Sequence, residues 1–267
     1  MKYYVINVPF IDWTIHFKNN HNITYVDSIN SIDFTENCKI IPICPNDFIR
    51  HNMIKLLFYT DLYNISILNN KGLFAKFMME NFKDYIPLTI YYNVNNKLIY
   101  NSKITSPIMI LKSTMGAGGM NVKIIKDSDF PKNIEECKII KNFVVSEYIK
   151  HSILYVAHFL IIKGILIDKI YFYLEIKSDT IYQGRVKNYK VCEQLPYNDN
   201  IFTKIFNKLN YSGFACIDFT ILNNKIYIFE INPRIGGSLV FNIIYFHRFF
   251  FKLVKYYDEN NLHIIKN

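Results

Sequence analysis

The chain has 267 residues, 51% of them hydrophobic and 16% aromatic, and a formal net charge of +9. This length and composition allow a substantial buried core and exclude an intrinsically disordered protein. The positive charge favours an anionic ligand, but it does not distinguish a nucleotide from an acidic substrate, a nucleic acid or a lipid head group.

Signals for targeting and for disulfide bonds are sparse. The five cysteines are scattered, with neither a CxxC pair nor histidines at zinc-binding spacing, which predicts reduced thiols in a cytoplasmic protein. The first residues, MKYYVINVPFIDW, lack the apolar core of a signal peptide. The longest apolar runs, 152–162 and 239–254, are too short to span a membrane. We therefore expect a soluble protein without a membrane partner.

The N-terminal residues 1–68 alternate strand-like and helix-like segments. Strands are predicted at 3–8, 23–26 and 39–43, and a helix is predicted at 46–59. No glycine-rich phosphate loop follows the first strand, so a small α/β unit is expected here and not a complete dinucleotide-binding module.

A helix over 71–83 is predicted next, with Asn69 and Asn70 capping its start and Lys71 as its first residue. A lysine on a helix is usually only solvated. Lys71 therefore becomes a binding candidate only in combination with other residues.

The segment 108–125, IMILKSTMGAGGMNVKII, predicts two strands joined by a glycine-rich loop, with Lys112 at the end of the first strand. The glycines of the loop are Gly116, Gly118 and Gly119. Backbone N–H groups of such a loop can bind phosphate oxygens, and Lys112 would add positive charge. The loop is not a Walker A motif, because no Gly-Lys-Ser/Thr is present. A glycine-rich surface hairpin without a ligand is the alternative.

Several long strands are predicted after this loop. The first, 143–149, carries Glu147 at its polar end, where backbone groups could face a cleft. Strands at 152–162 and 165–176 predict a central antiparallel sheet. A strand at 180–191 would present a basic face that either binds a carboxylate or is solvated. The residues of that face are Gln183, Arg185 and Lys187.

The most informative segment is 214–238, FACIDFTILNNKIYIFEINPRIGGS, which predicts a β-hairpin. A two-residue loop would set Asp218 opposite Phe229. A three-residue loop, Asn223-Asn224-Lys225, would set Asp218 opposite Glu230 and leave one wholly apolar face, and we therefore favour it. It would pair Ile217 with Ile231, Phe219 with Phe229 and Ile221 with Tyr227.

This register places two carboxylates and an amide, from Asp218, Glu230 and Asn232, on one face of the hairpin. Such a group needs a positive partner. Mg²⁺ prefers oxygen ligands and is commonly completed by substrate phosphates, so the sequence predicts a magnesium site, with Mn²⁺ as a substitute ion. A solvated polar face of an amphipathic hairpin is the alternative.

Helices are predicted on both sides of the hairpin, at 196–210 and 238–257. Ser238 is expected to be the N-cap of the second helix. Its apolar residues are expected to pack in the core, namely Phe241, Ile244, Tyr245, Phe249 and Leu253.

Together these motifs resemble the ATP-grasp superfamily, whose ligases include D-alanine:D-alanine ligase, biotin carboxylase and the carbamoyl phosphate synthases. The resemblance covers about 71–238 and extends more loosely through 1–68. The pattern Asp218…Glu230-x-Asn232-Pro233-Arg234 is similar to the metal-binding strand pair of the family.

Other motifs match the nucleotide-binding parts of the family. Lys112 and its glycine loop resemble the flap that covers the phosphates, and Lys71 resembles the second phosphate lysine, with Asn70 in place of the usual Asp. Residues Glu147, Tyr148 and Ile149 resemble the hinge that receives adenine. The usual acidic contact to the ribose is not evident, and Tyr155 or His158 would have to replace it.

The resemblance implies an α/β (α+β) ATP-grasp fold in which ATP lies between two α+β subdomains. Residues 1–68 would form a short pre-ATP-grasp α/β domain, 69–146 the small lid subdomain, and 147–267 the large subdomain with the metal site.

The resemblance also implies an ATP-dependent carboxylate–amine ligase with ATP and two Mg²⁺ ions as cofactors. A small-molecule carboxylate would form an acyl phosphate, which a small-molecule amine would then attack. Glu230 would bridge the two ions, and Asp218 and Asn232 would each bind one of them. Lys71 and Lys112 would hold the phosphates.

Two arginines complete the implied site. Arg234 would stabilise the phosphoryl group or the tetrahedral intermediate, and Arg185 would bind the acceptor carboxylate. A small-molecule kinase and a non-catalytic ATP-binding module are the alternatives. A nucleic-acid partner is not expected, because no recognisable nucleic-acid-binding module is present. A homodimer is compatible with the sequence.

Overall fold

The structure is a computed structural model. It describes residues 2–6, 23–26, 29–32, 38–41, 61–92, 98–100, 104–115, 122–126, 128, 142–176 and 188–259. Within these residues the strands form three sheets, one of three strands and two of five. This α/β architecture agrees with the predicted fold class.

The N-terminal sheet is parallel and contains β1 (Lys2–Ile6), β2 (Ile23–Val26) and β3 (Cys38–Ile41) in the order β2-β1-β3. The side chains of Val5 and Ile40 are fully buried, as expected for a sheet covered on its faces. The three predicted strands are confirmed, whereas the predicted helix over 46–59 lies outside the described residues.

Two helices follow, α1 (Leu62–Asn69) and α2 (Lys71–Asn81). The side chain of Asn70 accepts hydrogen bonds from the backbone N–H groups of Gly72 and Leu73, at 2.9 and 3.1 Å, and therefore caps α2 as predicted. The helix ends two residues before the predicted position, and a 3₁₀ turn at Lys83–Tyr85 follows it. A Cβ on Gly72 would lie 2.3 Å from the ring of Tyr91, so glycine allows α2 to pack closely on β4 (Thr89–Tyr92).

The second sheet is antiparallel, with the order β5-β4-β8-β6-β7. Its remaining strands are β5 (Leu98–Tyr100), β6 (Ile108–Ser113), β7 (Val122–Lys126) and β8 (Phe143–Glu147). One face buries a small apolar cluster of Met109, Leu111, Ile125, Phe143 and Val145. The predicted strands on both sides of the glycine loop are confirmed.

The third sheet is also antiparallel, with the order β11-β10-β9-β12-β13. Its strands are β9 (Ile153–Ile162), β10 (Ile165–Glu175), β11 (Lys190–Cys192), β12 (Gly213–Leu222) and β13 (Lys225–Asn232). The turn between β9 and β10 uses positive φ at Lys163 and Gly164, as the predicted connection requires.

Helices cover both faces of the third sheet. One face packs on α1, α2 and α3 (Asn200–Lys208), with Phe202 and Phe206 of α3 almost wholly buried. The other face packs on α4 (Gly237–Val240), α5 (Ile243–Glu259) and the N-terminal sheet. Among the described residues, no helix has the length and apolar character needed to cross a membrane.

The helix predicted over 238–257 is in fact two helices, because the chain turns at Phe241 and Asn242 between α4 and α5. Ser238 does not cap a helix, since its hydroxyl group is hydrogen-bonded to His158. The turn also changes which residues face the core. Phe249 and Leu253 are fully buried as expected, whereas Ile244 is 78% exposed.

Candidate functional site

The hairpin formed by β12 and β13 is closed by a two-residue turn, which corrects the predicted three-residue loop. Leu222 pairs with Lys225, so only Asn223 and Asn224 lie in the turn. Their φ angles are +52° and +57°. Asparagine tolerates this left-handed conformation, and two such residues match the twist of a β-hairpin.

A β-bulge then restores the predicted pairing of the two carboxylates. Next to the turn, Phe219 pairs with Ile228 and Ile221 with Ile226, so the predicted partners Phe229 and Tyr227 are wrong. The register shifts by one residue between Phe219 and Asp218. Beyond the shift, Asp218 pairs with Glu230 and Ile217 with Ile231, as predicted.

The bulge places two consecutive side chains of β13 on the same side of the sheet. Ile228 and Ile231 are buried, whereas Phe229 and Glu230 between them are both partly exposed. Phe229 is therefore the additional residue of the bulge, and it lies beside Glu230 on the face that also carries Asp218. Bulges commonly redirect side chains in this way next to functional sites.

Asp218 and Glu230 differ in their preference for a proton. Desolvation opposes ionisation of Glu230, but attraction to Lys71 and Lys112, with hydrogen bonds from Asn232 and Asp218, outweighs it and lowers the pKa to about 2. Desolvation and the adjacent Glu230 carboxylate raise the pKa of Asp218 well above its usual value. Asp218 therefore gives up its proton less readily than Glu230 does.

Lys71 and Asn232 hold the Glu230 carboxylate from two sides. The Nζ atom of Lys71 lies 3.4 Å from Oε2, and Nδ2 of Asn232 donates to Oε1 at 3.1 Å. The side chains of Lys71 and Glu230 are only 15% and 23% exposed, so water screens this ion pair less than a surface pair. The carboxylate is thereby fixed in position.

A divalent cation fits this donor set. Two adjacent carboxylates repel each other when both are ionised, a cation between them would relieve that repulsion, and Asn232 supplies a further oxygen. Among the described residues, no group of three or more His, Cys, Asp and Glu side chains is arranged to hold a metal. The candidate Mg²⁺ site thus depends on Asp218, Glu230 and the amide of Asn232.

Lys112 lies at the end of β6, next to the start of α2. Its Nζ atom is 5.9 Å from the centroid of the Phe229 ring. Desolvation and the nearby Lys71 lower the pKa of Lys112, whereas Glu230 and Asp218 oppose the shift. The backbone N–H of Lys71 donates to the carbonyl oxygen of Thr114 at 2.9 Å, which brings the two lysines to one place.

Arg234 is placed beside a candidate metal ligand by the turn after β13. Its Nη1 donates to the carbonyl oxygen of Ile235 at 3.1 Å and its Nη2 to Oδ1 of Asn232 at 3.4 Å. Gly236 follows in close contact with the sheet, since a Cβ there would lie 2.5 Å from Sγ of Cys216. The segment that carries Arg234 is therefore packed directly on the sheet.

The predicted hinge residues lie at the end of β8, where Glu147 is held by Leu88. The Glu147 carboxylate accepts from the Leu88 N–H at 3.1 Å, and the Glu147 N–H donates to the Leu88 carbonyl at 2.9 Å. The Tyr148 N–H donates to the carbonyl of Ile108 at 3.1 Å. Both Tyr148 and Ile149 are partly exposed. The carboxylate of Glu147 thus holds the end of β8 against Leu88.

The structure brings six of the predicted site residues together, namely Lys71, Lys112, Asp218, Glu230, Asn232 and Arg234. Gly116, Gly118, Gly119 and Arg185 lie outside the described residues.

The two residues proposed to replace the ribose contact are both buried. Tyr155 stacks on Phe219 in the core with ring centroids 5.3 Å apart. His158 is 1% exposed, and its Nε2 lies 2.7 Å from the Ser238 hydroxyl. Burial and the charge of Arg234 lower the His158 pKa to about 3, so this ring is neutral. Neither side chain is available to a nucleotide.

Two residues of the site were not anticipated, Phe229 and His151. Their rings lie 5.1 Å apart. The Asn223-Asn224 pair was the signal for Phe229, because it favours a two-residue turn that is compatible with the paired carboxylates only if a bulge intervenes.

The chain is similar to known proteins in sequence and in fold. Residues 68–238 match the ATP-grasp domain. A search of curated protein sequences finds no match.

Solved structures with this fold include several ligases. D-alanine–D-alanine ligase from Bacillus anthracis has a TM-score of 0.59 at 15% identity, with 96% of each chain covered. The same enzyme complexed with ATP has a TM-score of 0.53 at 16% identity, again over 96% of each chain. Phosphoribosylamine–glycine ligase from Thermotoga maritima has a TM-score of 0.62 at 13% identity, over 90% of this chain and 71% of that one. The domain match covers more than half of the chain, and the chain therefore belongs to the ATP-grasp family.

Proposed function

We propose that this protein is an ATP-dependent carboxylate–amine ligase that acts through an acyl phosphate and forms an amide or peptide-like bond. The observation that carries the proposal is the Asp218–Glu230 pair, whose Glu230 carboxylate lies 3.4 Å from Nζ of Lys71 and is also attracted by Lys112. Carboxylates for a metal and lysines for phosphates are the groups that phosphoryl transfer requires. The solved relatives named above are ligases, which supports the same reaction class.

ATP would lie with its adenine at the hinge, Glu147 to Ile149, and its phosphates at Lys71 and Lys112. Asp218, Glu230 and Asn232 would hold two Mg²⁺ ions. When bound, the ions would supply positive charge that offsets the negative charge of the phosphates. The loop that contains Gly116, Gly118 and Gly119 would cover the phosphates and exclude water from the acyl phosphate.

The chemistry proceeds in two displacements. A carboxylate oxygen of the first substrate bonds to the γ-phosphorus while the bond to the β-phosphate oxygen breaks, releasing ADP. The amine nitrogen of the second substrate then bonds to the acyl carbon, the bond to phosphate breaks, and the nitrogen loses a proton. Arg234, held beside Asn232, would stabilise the negative charge of both transition states. Arg185 would bind the carboxylate of the acceptor.

The reaction can be tested without knowing the amine. We would incubate the protein with Mg-ATP, pooled small carboxylic acids and hydroxylamine, which traps an acyl phosphate as a hydroxamate. A ligase should produce equal amounts of ADP and phosphate by ³¹P NMR, together with a hydroxamate detected by mass spectrometry. A pool of amines in place of hydroxylamine should then yield a product with the mass of acid plus amine minus water.

Two variants test whether Glu230 is needed, one at Glu230 itself and one at a surface carboxylate as the matched control. Glu230→Gln should yield no hydroxamate, whereas Glu175→Gln, which changes a carboxylate paired with Lys190 on the surface, should behave as the unmodified protein does. ADP accompanied by a stable phosphorylated metabolite and no hydroxamate would instead identify a small-molecule kinase. ATP binding without turnover in any pool would favour a non-catalytic ATP-binding module.

A further inference from the structure

The inference rests on the proposed function and concerns how Arg234 and a cation share the side chain of Asn232. The amide group of Asn232 lies between two groups of opposite charge. Its Nδ2 atom donates to Oε1 of Glu230 at 3.1 Å, and its Oδ1 atom accepts from Nη2 of Arg234 at 3.4 Å. All three side chains are partly buried, so these contacts are not simply exchanged for contacts with bulk water.

The two neighbours determine which way the amide group points. Glu230 is ionised at neutral pH, because its pKa is lowered to about 2. An ionised carboxylate only accepts hydrogen bonds, and a guanidinium group only donates them. The amide nitrogen must therefore face Glu230 and the amide oxygen must face Arg234. The oxygen that Asn232 can offer to a cation is thus engaged by Arg234.

Positive side chains already surround the two carboxyl groups. Lys71 and Lys112 attract Glu230, and Arg234 and Lys112 attract Asp218. A cation on the oxygen of Asn232 would lie beside the guanidinium group, and like charges at short range in a partly buried site repel each other strongly. Arg234 and the cation consequently compete for Asn232.

Arg234 can leave Asn232 without losing its other contact. Its Nη1 atom donates to the carbonyl oxygen of Ile235 at 3.1 Å, and this hydrogen bond does not involve Asn232. Ile235 is buried and Gly236 is packed on the sheet, so the backbone next to Arg234 is fixed. A displacement would therefore be confined to the arginine side chain.

We propose that Arg234 substitutes for the cation of Asn232 in the metal-free protein, and that binding of this cation displaces the guanidinium group and makes it available to the substrate. Of the two proposed ions, the one that needs Asn232 would thus bind in competition with Arg234, whereas the ion on Asp218 would not. The guanidinium group would become free to stabilise the transferring group only when both ions are bound.

Counting bound cations tests this competition without any turnover. Mn²⁺ would be titrated into the protein with a saturating non-hydrolysable ATP analogue, and free Mn²⁺ would be measured by electron paramagnetic resonance. A titration without protein corrects for the free analogue. We would compare the unmodified protein with Arg234→Met, which keeps an unbranched side chain but cannot donate a hydrogen bond. The control is Arg248→Met, the same change on α5.

The unmodified protein should bind one Mn²⁺ tightly and one weakly. In Arg234→Met the weaker site should become roughly three- to tenfold tighter, as expected when one competing hydrogen bond is removed, and the tighter site should change by less than about twofold. Arg248→Met should change neither site, although it loses the same charge. If Arg234→Met fails to fold, Arg234→Gln removes the same charge and gives the same comparison.

Other results would overturn the inference. Equal tightening of both sites would show that Arg234 acts only through its charge and not at Asn232. A weaker site that is unchanged or loses affinity would exclude competition. In these cases the two bound ions would leave the proposed function intact. A correctly folded unmodified protein that binds neither the analogue nor Mn²⁺ would overturn the proposed function together with the inference.

Discussion

Asp218 and Glu230 face each other on adjacent strands but respond differently to their surroundings. Lys71, at 3.4 Å, stabilises the ionised form of Glu230, whereas desolvation and the Glu230 carboxylate raise the pKa of Asp218. A bound cation would favour the ionised form of Asp218. The nucleotide-free protein therefore retains a locally unfavourable arrangement of charge, as is common where function requires it.

Replacing Glu230 by Gln should abolish ligase turnover while leaving the fold intact, because it removes the carboxylate between the lysines but keeps its shape. We expect a loss of rate of at least about 100-fold, typical of the removal of a group that stabilises transition-state charge. Hydroxamate formation measures the rate, and far-ultraviolet circular dichroism checks the fold. Activity within a factor of two of the unmodified protein would exclude Glu230 from the site.

Replacing Asp218 by Asn should stabilise the metal-free protein at neutral pH. Because the folded-state pKa of Asp218 is raised, the stability it contributes is present below its unfolded pKa and is lost as pH rises through its folded pKa. Asn cannot ionise, so the variant avoids that loss. Its free energy of unfolding at neutral pH should be about 1–2 kcal/mol higher than that of the unmodified protein.

Urea denaturation in EDTA between pH 4 and pH 8 measures this difference. The difference in the free energy of unfolding between Asp218→Asn and the unmodified protein should increase as the pH rises. A gap that is constant or narrows would show that Asp218 is already ionised in the folded protein without a cation.

At the scale of the element, the bulge in β13 contributes one side chain without disturbing either end of the hairpin. The strand leaves the Asn223-Asn224 turn with Ile226 and Ile228 in the core and re-enters the core at Ile231. Phe229 and Glu230 lie between them on the opposite face of the strand, and both are partly exposed. The extra residue of the bulge therefore adds an aromatic ring next to a carboxylate.

Deleting Phe229 should consequently be tolerated, although removing one residue from a strand normally reverses every side chain beyond it. The shortened strand would still direct Glu230 to the face that carries Asp218 and Ile231 to the core. We expect the melting temperature to change by only a few degrees, because the pairs Asp218–Glu230 and Phe219–Ile228 on either side of the bulge are both kept.

A deletion in an unbulged strand is the control for this experiment. Ala157 is fully buried in β9, which is paired on both sides, so its deletion should prevent folding. Unfolding of the Phe229 deletion as well would show that the bulge is required for the hairpin to form.

The limits of sequence prediction are clear in the same hairpin. Alternation of apolar and polar residues correctly predicted that Asp218 faces Glu230, because burial determines the face of each strand. The rule assumes an uninterrupted strand, however, and it was satisfied only by assigning three residues to the turn. The break between α4 and α5 was missed for a related reason, since an apolar run can continue through a turn that packing imposes.

At the scale of the whole molecule, the candidate site is assembled from distant parts of the chain. Lys71 begins α2, Lys112 is the penultimate residue of β6, and the carboxylates lie on the hairpin of the third sheet. The order of these elements was predictable from local patterns. The subdomain boundaries at 68 and 146, and the roles of the glycine loop and Arg185, remain predictions.

A ligand that contacts all three parts should stabilise the folded protein. At a concentration 100 times its dissociation constant, Mg-ATP is expected to add about 2.7 kcal/mol to the free energy of unfolding. Differential scanning fluorimetry should show a rise in melting temperature that depends on both ATP and Mg²⁺. In Glu230→Gln, the increase in melting temperature that depends on Mg²⁺ should disappear. Equal stabilisation of the unmodified protein by ATP in EDTA would contradict the proposed metal site.

The bulge at Phe229 also has a consequence for how this chain is compared with its relatives. A relative with the same turn but no bulge would have one residue fewer inside the strand, between the turn and the metal ligands. An alignment that forbids gaps within strands would then match either the turn or the Glu-x-Asn motif, but not both. Placing a one-residue gap at Phe229 keeps Glu230 and Asn232 aligned with the ligands of such a relative.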